Sequence, residues 1–368
     1  MKKMKAIITV CAFGLLVFTF SAMCYFSPDK DYTNSERRAL KKMPPLNGET
    51  IYNGEFMSEF EPYTADQFPG REMFRTVKAV FSKYALQKKE NNGLYFADGH
   101  ISKLDNELNM DMLKYSSGLF RKIYDNNIKG TNSKVYFSIV PDKNMFLATN
   151  NKLPSINYTE LEKTMKTETS DFMKFIPVSH LLSLDDYYKT DSHWKQENIT
   201  DIAEYLASEM GADVKTEYKV KTLDNPFCGV YAGQSALPVK PDTIKYLSNS
   251  ILENCVVTYY STGKPERGEL YNMEKAFSKD PYEMFLSGVE PLIEIENPAF
   301  DEKKELVIFR DSFGSSLAPL FVAGYSKITI VDVRYMQSAI LKNFVKFNEC
   351  DVLFIYSTTL LNNSLAMK

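Results

Sequence analysis

Histidine is scarce in this chain, which contains only three. His193 lies in the stretch YYKTDSHW, two residues after Asp191. Side chains two positions apart in an extended or turn segment share a side, so the Asp191 carboxylate can reach Nδ1 of His193. That contact would fix the imidazole tautomer and leave Nε2 to act as a base. His100 lies next to a glycine in a predicted hairpin whose turn is Asp98-Gly99, and His180 lies in an apolar stretch typical of a packed histidine.

The spacing of Asp191 and His193 is also compatible with two other roles. The pair could be half of a metal site, although the sequence offers no further cluster of ligands. Alternatively, Asp191 could cap a helix that begins near Trp194, with His193 on the surface of that helix. Spacing alone leaves these roles open.

A serine that such a base could activate occurs in the stretch LVIFRDSFGSS. The apolar run predicts a buried strand and the residues after it predict a helix, so Ser312 falls at the junction. Ligands of open α/β sheets bind beyond the carboxyl ends of the strands. The amides at a helix start are unpaired donors, so those of residues 312–314 are predicted to stabilise an oxyanion. The structural alternative is that Asp311 or Ser312 only caps the helix.

The most regular part of the sequence, residues 301–368, surrounds Ser312. The apolar stretches ELVIF, KITIVDV and DVLFIYS predict strands, and SSLAPLFVAGY and MQSAILKNFVKFN predict helices between them. Continuous apolar strands are typical of a sheet that is covered on both faces. Their alternation with helices predicts a βαβαβ arrangement with a parallel sheet, and therefore an α/β fold.

The middle of the chain is predicted to complete this sheet. Residues 51–211 begin with two helices broken at Phe68-Pro69-Gly70, followed by a hairpin whose turn is Asp98-Gly99. The stretch KVYFSIVPDK predicts a strand, DFMKFIPVSHLLS predicts a second one, and a helix is expected from near Trp194 to Gly211. Residues 212–300 lack a helical rhythm and are predicted to be an inserted, irregular, β-rich subdomain.

The N-terminal segment, residues 1–26, has the features of a membrane anchor. Lys2, Lys3 and Lys5 precede an uncharged run from Ala6 to Phe26, close to the ~20 residues that a spanning helix needs. The charges predict that the body, reached through a linker at 27–50, faces outward from the cell membrane. If the segment is instead a cleaved signal peptide, the protein is secreted.

The composition excludes some function classes. The chain has 368 residues, 44% of them hydrophobic and 25% charged, which is typical of a globular protein. Its net charge of −3 provides no electrostatic footprint for nucleic acid. The sequence therefore predicts no nucleic-acid partner, and it contains no motif for a cofactor or a metal.

The stretches YYKTDSHW and RDSFG together resemble the DHHW family. This family is SGNH-hydrolase-like and related to the alginate O-acetyltransferase proteins of bacterial exopolysaccharide systems. Further stretches that resemble the family follow the same order and extend the likeness over roughly residues 35–357; they are SERRAL, DQFPGR, VPDK, KDPYEMFLSG and VDVRY.

The resemblance implies a function as well as a fold. The fold would be an SGNH-like (flavodoxin-like) parallel sheet flanked by helices, with an N-terminal helical region. Ser312, His193 and Asp191 would form a triad that transfers an acetyl group, through an acetyl-serine, to an extracellular or cell-surface polysaccharide. A membrane-bound O-acyltransferase would be the partner that supplies the acetyl group. No cofactor is implied.

Two positions depart from the family pattern. Ser192 replaces the second residue of D-H-H-W, which is not the base. Arg310 replaces the glycine of the SGNH G-D-S block, and the glycine and asparagine that usually complete the oxyanion hole are not identifiable. These departures favour one of the two alternatives, a non-catalytic polysaccharide-binding or assembly protein. The other alternative is a carbohydrate acetyl esterase with the same triad.

Four further residues are candidates for substrate binding. Arg334 and Tyr335 follow a neighbouring strand and are predicted at the same sheet edge as Ser312. Lys143 also follows a strand, and Trp194 could offer a platform for a sugar in addition to seating the loop. Each has a structural alternative: an arginine packed on carbonyls, an aromatic ring in the core, or an exposed lysine.

Overall fold

A computed structural model, which describes residues 2–368, divides the chain into two compact units. The first runs to Asn92 and includes Ala232–Val239. The second comprises Gly93–Tyr231 and Lys240–Lys368. The candidate site lies in the second unit.

The first unit is mainly helical. It begins with α1 (Lys2–Phe26), which is long and apolar enough to cross a membrane and has no part of its span buried. A short hairpin of β1 (Tyr32–Thr33) and β2 (Arg38–Ala39) lies in the predicted linker. The remaining elements are α2 (Gly48–Tyr52), α3 (Glu55–Gln67), α4 (Arg71–Val80), a π-helical turn at Phe81–Ala85 and β3 (Glu90–Asn91).

The predicted break between two helices is confirmed. α3 ends at Gln67 and α4 begins at Arg71, with Phe68-Pro69-Gly70 between them. Gly70 has a φ of 72°, which a residue with a side chain adopts only with strain. The apolar α1 is consistent with the expected membrane anchor.

The second unit is built on one large sheet. Its strands and those around it are β4 (Leu94–Ala97), β5 (His100–Lys103), β6 (Lys134–Val140), β7 (Lys174–Phe175), β8 (Lys219–Phe227), β9 (Asp242–Ser248), β10 (Val256–Tyr259), β11 (Glu266–Gly268), β12 (Leu292–Glu296), β13 (Glu305–Arg310), β14 (Lys327–Val331) and β15 (Asp351–Ser357). The helices are α5 (Met110–Ile123), α6 (Asn144–Asn151), α7 (Tyr158–Thr169), α8 (Thr200–Glu209), α10 (Ser250–Asn254), α11 (Met273–Ala276), α12 (Phe313–Leu317) and α13 (Thr358–Leu361), while α9 (Val230–Ser235) begins in this unit and ends in the first.

The sheet is parallel in its centre, as the sequence predicts. Its strand order is β11-β10-β12-β14-β13-β15-β6-β7. The strands β14, β13, β15, β6 and β7 pair in parallel, so β13, which leads to Ser312, has parallel neighbours on both sides. The carboxyl ends of these strands therefore meet at one edge.

The sheet also has an antiparallel part. The strands β12, β10 and β11 extend it beyond β14 by antiparallel pairing. These strands come from residues 212–300, which the sequence predicts to be an inserted subdomain. β12, LIEIE, alternates apolar and acidic residues and pairs with β14 from Leu292↔Val331 onward, a long-range register that the local pattern does not indicate. β8 and β9 form a separate antiparallel pair.

Both faces of the sheet are covered, as its continuous apolar strands predict. On β13, Leu306 and Ile308 belong to one buried apolar cluster, whereas Val307 and Phe309 belong to the other. This alternation follows from the two-residue period of a strand. Full burial of one such side chain is worth about 1.5–3 kcal/mol, so the strand that carries Ser312 is firmly held.

Three predicted elements differ from the structure. α8 begins at Thr200 rather than near Trp194, because residues 187–194 turn back on themselves with an antiparallel bridge from Tyr187 to Trp194. The strand predicted in DFMKFIPVSHLLS is reduced to the two residues of β7. The helix predicted in MQSAILKNFVKFN is a 3-10 segment, Ser338–Asn343. The buried apolar residues of this stretch, Leu341, Val345 and Phe347, are four and two positions apart, and residues two apart do not share a helix face.

Candidate active site

His193 joins the acid and the serine that the sequence singles out. Its Nδ1 lies 2.6 Å from Oδ1 of Asp191, and its Nε2 lies 2.7 Å from Oγ of Ser312. With Nδ1–H donating to the carboxylate, Nε2 accepts the hydrogen bond of the serine hydroxyl. Both ring nitrogens are thus engaged, which disfavours the alternative role of the pair as half of a metal site.

Asp191 is fully buried and held on both carboxylate oxygens. Oδ1 also accepts the backbone N–H of His193 at 3.1 Å, and Oδ2 accepts the backbone N–H of Val230 at 2.8 Å. Gly229 lets this segment approach, because a Cβ at that position would lie 2.3 Å from Cβ of Asp191. Asp191 does not cap α8, which starts nine residues later at Thr200.

The loop that carries Asp191 and His193 is fixed by side-chain hydrogen bonds. Asp242 accepts the backbone N–H groups of Lys189 (3.0 Å) and Thr190 (2.7 Å). The Thr190 hydroxyl donates to the same carboxylate at 2.6 Å and accepts the N–H of Gly229 at 2.9 Å. The loop therefore holds the acid and the base in place without regular secondary structure.

Lys143 also fixes this loop, and this corrects its assignment as a substrate-binding residue. Its Nζ donates to the carbonyls of Tyr188 (2.9 Å) and Lys189 (3.2 Å), and the residue is only 1% exposed. A side chain without accessible surface cannot contact a substrate. Burial lowers the pKa of Lys143 to about 7, although the charge of Asp191 works in the opposite direction.

Ser312 lies between β13 and α12, as predicted, and its neighbour Asp311 takes the capping role. Asp311 Oδ1 accepts the N–H of Phe313 at 3.0 Å, and Oδ2 accepts the N–H of Ser357 at 2.8 Å. The Ser312 side chain makes no capping hydrogen bond. Of the two residues that could cap α12, it is therefore Asp311 that does so. The hydroxyl of Ser312 remains available to His193.

The predicted oxyanion donors need correction for the same reason. The amide of Phe313 is bound by the Asp311 side chain, and that of Gly314 donates to the Asp311 carbonyl at 3.1 Å. The Ser312 N–H makes no hydrogen bond to any other residue in the described range 2–368. Of the three amides at 312–314, that of Ser312 is the one available to an oxyanion.

Trp194 is buried beneath the site, which corrects its assignment as a sugar platform. The side chain is fully buried, and its Nε1–H donates to the carbonyl of Phe313 at 3.1 Å and to Oγ of Ser316 at 2.9 Å. Trp194 therefore ties the histidine loop to the helix that follows Ser312, in accordance with its expected role in seating the loop.

Tyr282 is a site residue that the sequence does not single out. Its ring stacks on the imidazole of His193, with centroids 3.9 Å apart and planes 10° apart. Its hydroxyl lies 2.9 Å from Oγ of Ser316, which also receives the Trp194 bond. The stretch KDPYEMFLSG contains it, and Asp280-Pro281 there starts the 3-10 turn that positions the ring.

Two arginines at the same sheet edge are anchored on Asp332. Arg334 donates from Nε and Nη2 to the two oxygens of Asp332, at 2.9 and 2.6 Å. Burial works against its charge, but the hydrogen bonds that it donates to Asp332 outweigh burial and raise the pKa of Arg334. Arg310, which replaces the family glycine, is 1% exposed, and Gly314 leaves room for it because a Cβ there would lie 2.5 Å from Cβ of Arg310.

Of the four substrate-binding candidates, Tyr335 has the largest exposed surface. It is 50% exposed, and the Arg334 guanidinium lies 5.4 Å from its ring centroid. The Arg334 side chain is 20% exposed. These two remain candidates for substrate contact, whereas Lys143 and Trp194 do not.

Comparisons with known proteins find structural likeness only. No protein-family model and no curated protein matches the sequence. A DHHW family protein from Eubacterium siraeum is 22% identical, with a TM-score of 0.56 over 75% of this chain and 94% of that chain. Bacillus cereus PatB1, solved with a sulfonyl adduct, is 19% identical, with a TM-score of 0.57 over 73% of this chain and 95% of that chain.

The O-acetyltransferase domain of Pseudomonas putida AlgJ is a more remote match. It is 12% identical and has a TM-score of 0.42, over 73% of this chain and 92% of that chain, which is too distant to bear on function. At these sequence identities the comparisons show the fold alone. The mixed α/β chain, with its central, mostly parallel sheet, thus has the SGNH-like fold expected from the sequence and shared with a DHHW family protein.

Proposed function

We propose that this chain is an extracytoplasmic O-acetyltransferase that modifies an extracellular or cell-surface polysaccharide through Ser312, His193 and Asp191. The observation that carries the proposal is the position of His193, hydrogen-bonded to Asp191 on one side and to Ser312 on the other. Such a constellation activates a serine hydroxyl in acyl transfer.

The first half-reaction places an acetyl group on Ser312. His193 Nε2 takes the hydroxyl proton while Oγ attacks the carbonyl carbon of an acetyl donor. The Ser312 N–H donates to the oxyanion that forms, and Asp191 stabilises the imidazolium. When the intermediate collapses, the bond to the leaving group breaks and His193 returns the proton to that group, which leaves acetyl-Ser312.

In the second half-reaction, His193 takes a proton from a sugar hydroxyl. The resulting oxygen attacks the acetyl ester, the bond to Oγ breaks, and the proton passes to Ser312. The sugar then carries the acetyl group and the free serine is restored. Water in place of the sugar would give simple hydrolysis, so the acceptor distinguishes a transferase from an esterase.

Partners and location follow from the resemblance and from α1. The family likeness implies a membrane-bound O-acyltransferase as the acetyl donor and a polysaccharide as the acceptor. We assign α1 as an uncleaved anchor with the second unit outside the cell, because its unburied apolar length suits a bilayer. The sulfonyl adduct of PatB1 is consistent with a nucleophile in this fold, since a sulfonyl group attaches covalently to nucleophiles.

The test compares Ser312→Ala and His193→Ala with the unaltered chain on a chromogenic acetyl ester. Ser315→Ala, a buried serine three residues further along, is the matched control. We expect both site variants to lose turnover and to resist labelling by a fluorophosphonate, while Ser315→Ala keeps both. Undiminished turnover in the site variants would refute the proposal. A glycan oligomer added to the assay then separates acetyl transfer from acetate release.

A further inference from the structure

The helix α4 exposes its apolar side to solvent. Phe74, Val77 and, in the π-helical turn that continues the helix, Phe81 and Tyr84 follow one another along one side. These four residues, here called the apolar stripe, are 42%, 59%, 57% and 68% exposed. Phenylalanine, valine and tyrosine side chains rarely remain this exposed in a contiguous row on a monomeric protein, where such a patch marks an interaction site.

The opposite side of the same helix faces inward, although its side chains are small. Ala79 is fully buried and Ser82 is 8% exposed. A surface helix usually turns its apolar stripe toward the core and its polar residues toward water. This helix does the reverse: within the described residues Phe74 contacts the rings of Phe20 and Phe68, and the surface of the stripe that stays exposed requires an apolar partner outside them.

The position of α1 identifies that partner as lipid. The ring of Phe20 in α1 stacks on Phe68, with centroids 5.3 Å apart, and meets Phe74 edge-on at 5.9 Å. Phe20 lies six residues before the end of α1 at Phe26, which corresponds to about 9 Å along a helix axis. Phe74, the first residue of the stripe, is therefore level with a point about 9 Å inside the membrane helix, the depth range of interfacial helices (~5–10 Å).

The charges beside the stripe fit a phospholipid surface. Exposed Lys78 lies on α4, and Lys88 and Lys89 follow the π-helical turn. Lys83 extends over the ring of Tyr84, with Nζ 5.3 Å from the centroid. Lysine can lay its aliphatic part along apolar surface while its ammonium group reaches phosphate, which is the pattern of interfacial helices.

We propose that the apolar stripe of α4 inserts into the headgroup–acyl boundary of the bilayer beside α1. The first unit would then be bound to the membrane by two elements, the anchor across the bilayer and α4 in its outer surface. Because α1 must cross the bilayer, this docking rests on the anchor in the proposed function and is independent of the acetyl-transfer chemistry.

The test uses the full chain in phospholipid vesicles and tryptophan fluorescence. The native Trp194 is fully buried, so the unaltered chain supplies a baseline that membrane and aqueous quenchers barely affect. Phe81→Trp and Tyr84→Trp each add a probe to the stripe. Phe18→Trp, at a residue of α1 that is 76% exposed, is the positive control for membrane insertion.

We expect lipids with brominated acyl chains to quench most of the added emission of Trp at 81, 84 and 18, and aqueous iodide to quench little of it. If position 18 is quenched by lipid and positions 81 and 84 by iodide, the stripe faces water and the proposal is wrong. If neither quencher reaches 81 and 84, protein covers the stripe, which also overturns it. If lipid does not quench position 18, α1 is not in the bilayer, and both the anchor and the docking of the stripe are refuted. The Ser312 assay does not depend on this result.

Discussion

The imidazole of His193 lies flat against the phenol ring of Tyr282, 3.9 Å between centroids. Its edge nitrogens point to Asp191 and to Ser312, so the two hydrogen bonds resist sliding in the ring plane and the stack resists tilting out of it. Tyr282 is itself fixed through Ser316, which lies on the helix that follows Ser312. Tyr282 is thus a positioning residue for the base.

Tyr282→Ala is expected to lower kcat, because misplacing a catalytic group by about 1 Å can cost ~10²-fold. Tyr282→Phe keeps the stacking ring and is expected to restore most of the rate. The measurement is kcat and KM on an acetyl ester for both variants, with near-ultraviolet circular dichroism to check folding. Equal losses of kcat in the two variants, with folding intact, would show that the stack does not position His193.

Gly229→Ala is expected to disturb the acid of the site. The added Cβ would lie 2.3 Å from Cβ of Asp191 and 2.5 Å from the Thr190 carbonyl, so the loop must shift and both activity and stability fall. The matched control is Gly118→Ala in α5, where a Cβ meets nothing within 4 Å and the helix should gain about 0.4–1 kcal/mol. Urea unfolding and ester turnover check both variants, and an active, stable Gly229→Ala would contradict the close packing.

The buried Lys143 predicts a specific dependence of stability on pH. Its pKa is lowered to about 7 from an ordinary value of 10.5, so between these values the unfolded chain binds a proton that the folded chain does not. Stability therefore rises with pH across this window, by up to about 1.4 kcal/mol per pH unit, and this contribution is flat below pH ~7.

Lys143→Met removes this titration while keeping a long side chain. The free energy of unfolding is measured in urea from pH 6 to 10 for both chains. The unaltered chain is expected to gain stability relative to the variant above about pH 7, where the neutral amine no longer costs burial of a charge. A difference between the two chains that stays constant with pH would mean that Lys143 is not buried as observed.

Trp194→Phe separates a seating role from a sugar platform. The variant loses the indole donor to Phe313 and Ser316, and leaving these buried acceptors without it is expected to cost about 1–3 kcal/mol of stability. KM for a glycan acceptor should stay near that of the unaltered chain, since the residue has no exposed surface. A raised KM with unchanged stability would restore the platform role.

Local patterns made the central sheet and part of the site predictable. Continuous apolar strands alternating with helices predict the parallel centre, and the Asp191–His193 pair lies within three residues. Ser312 was found because a strand-to-helix turn is itself a local signal. The three antiparallel strands from 256 to 296 are not predictable as members of the sheet, because their pairing is a long-range register.

The supporting residues of the site were beyond local patterns. Tyr282 lies 89 positions after His193, and Asp242 lies more than 50 positions after the loop that it clamps. Gly229 has an unremarkable sequence context, and its role follows only from the approach of Asp191 in space. For Lys143 and Trp194 the sequence predicts ligand contacts, because it shows residue types but not the burial that decides their roles.

The base and the serine are held by different kinds of structure. β13, which leads to Ser312, is bonded along its length to β14 and β15 in the middle of the sheet. The loop at 187–194 has no strand pairing of this kind and is held by side-chain bonds, by one bridge from Tyr187 to Trp194 and by the burial of these two rings. When it opens, Ser312 becomes an ordinary alcohol with nothing to accept its proton. Because Tyr187 and Trp194 of this loop belong to the apolar core, the loss of the base is coupled to a loss of core packing, and a chain that has lost the loop has also lost the activated serine.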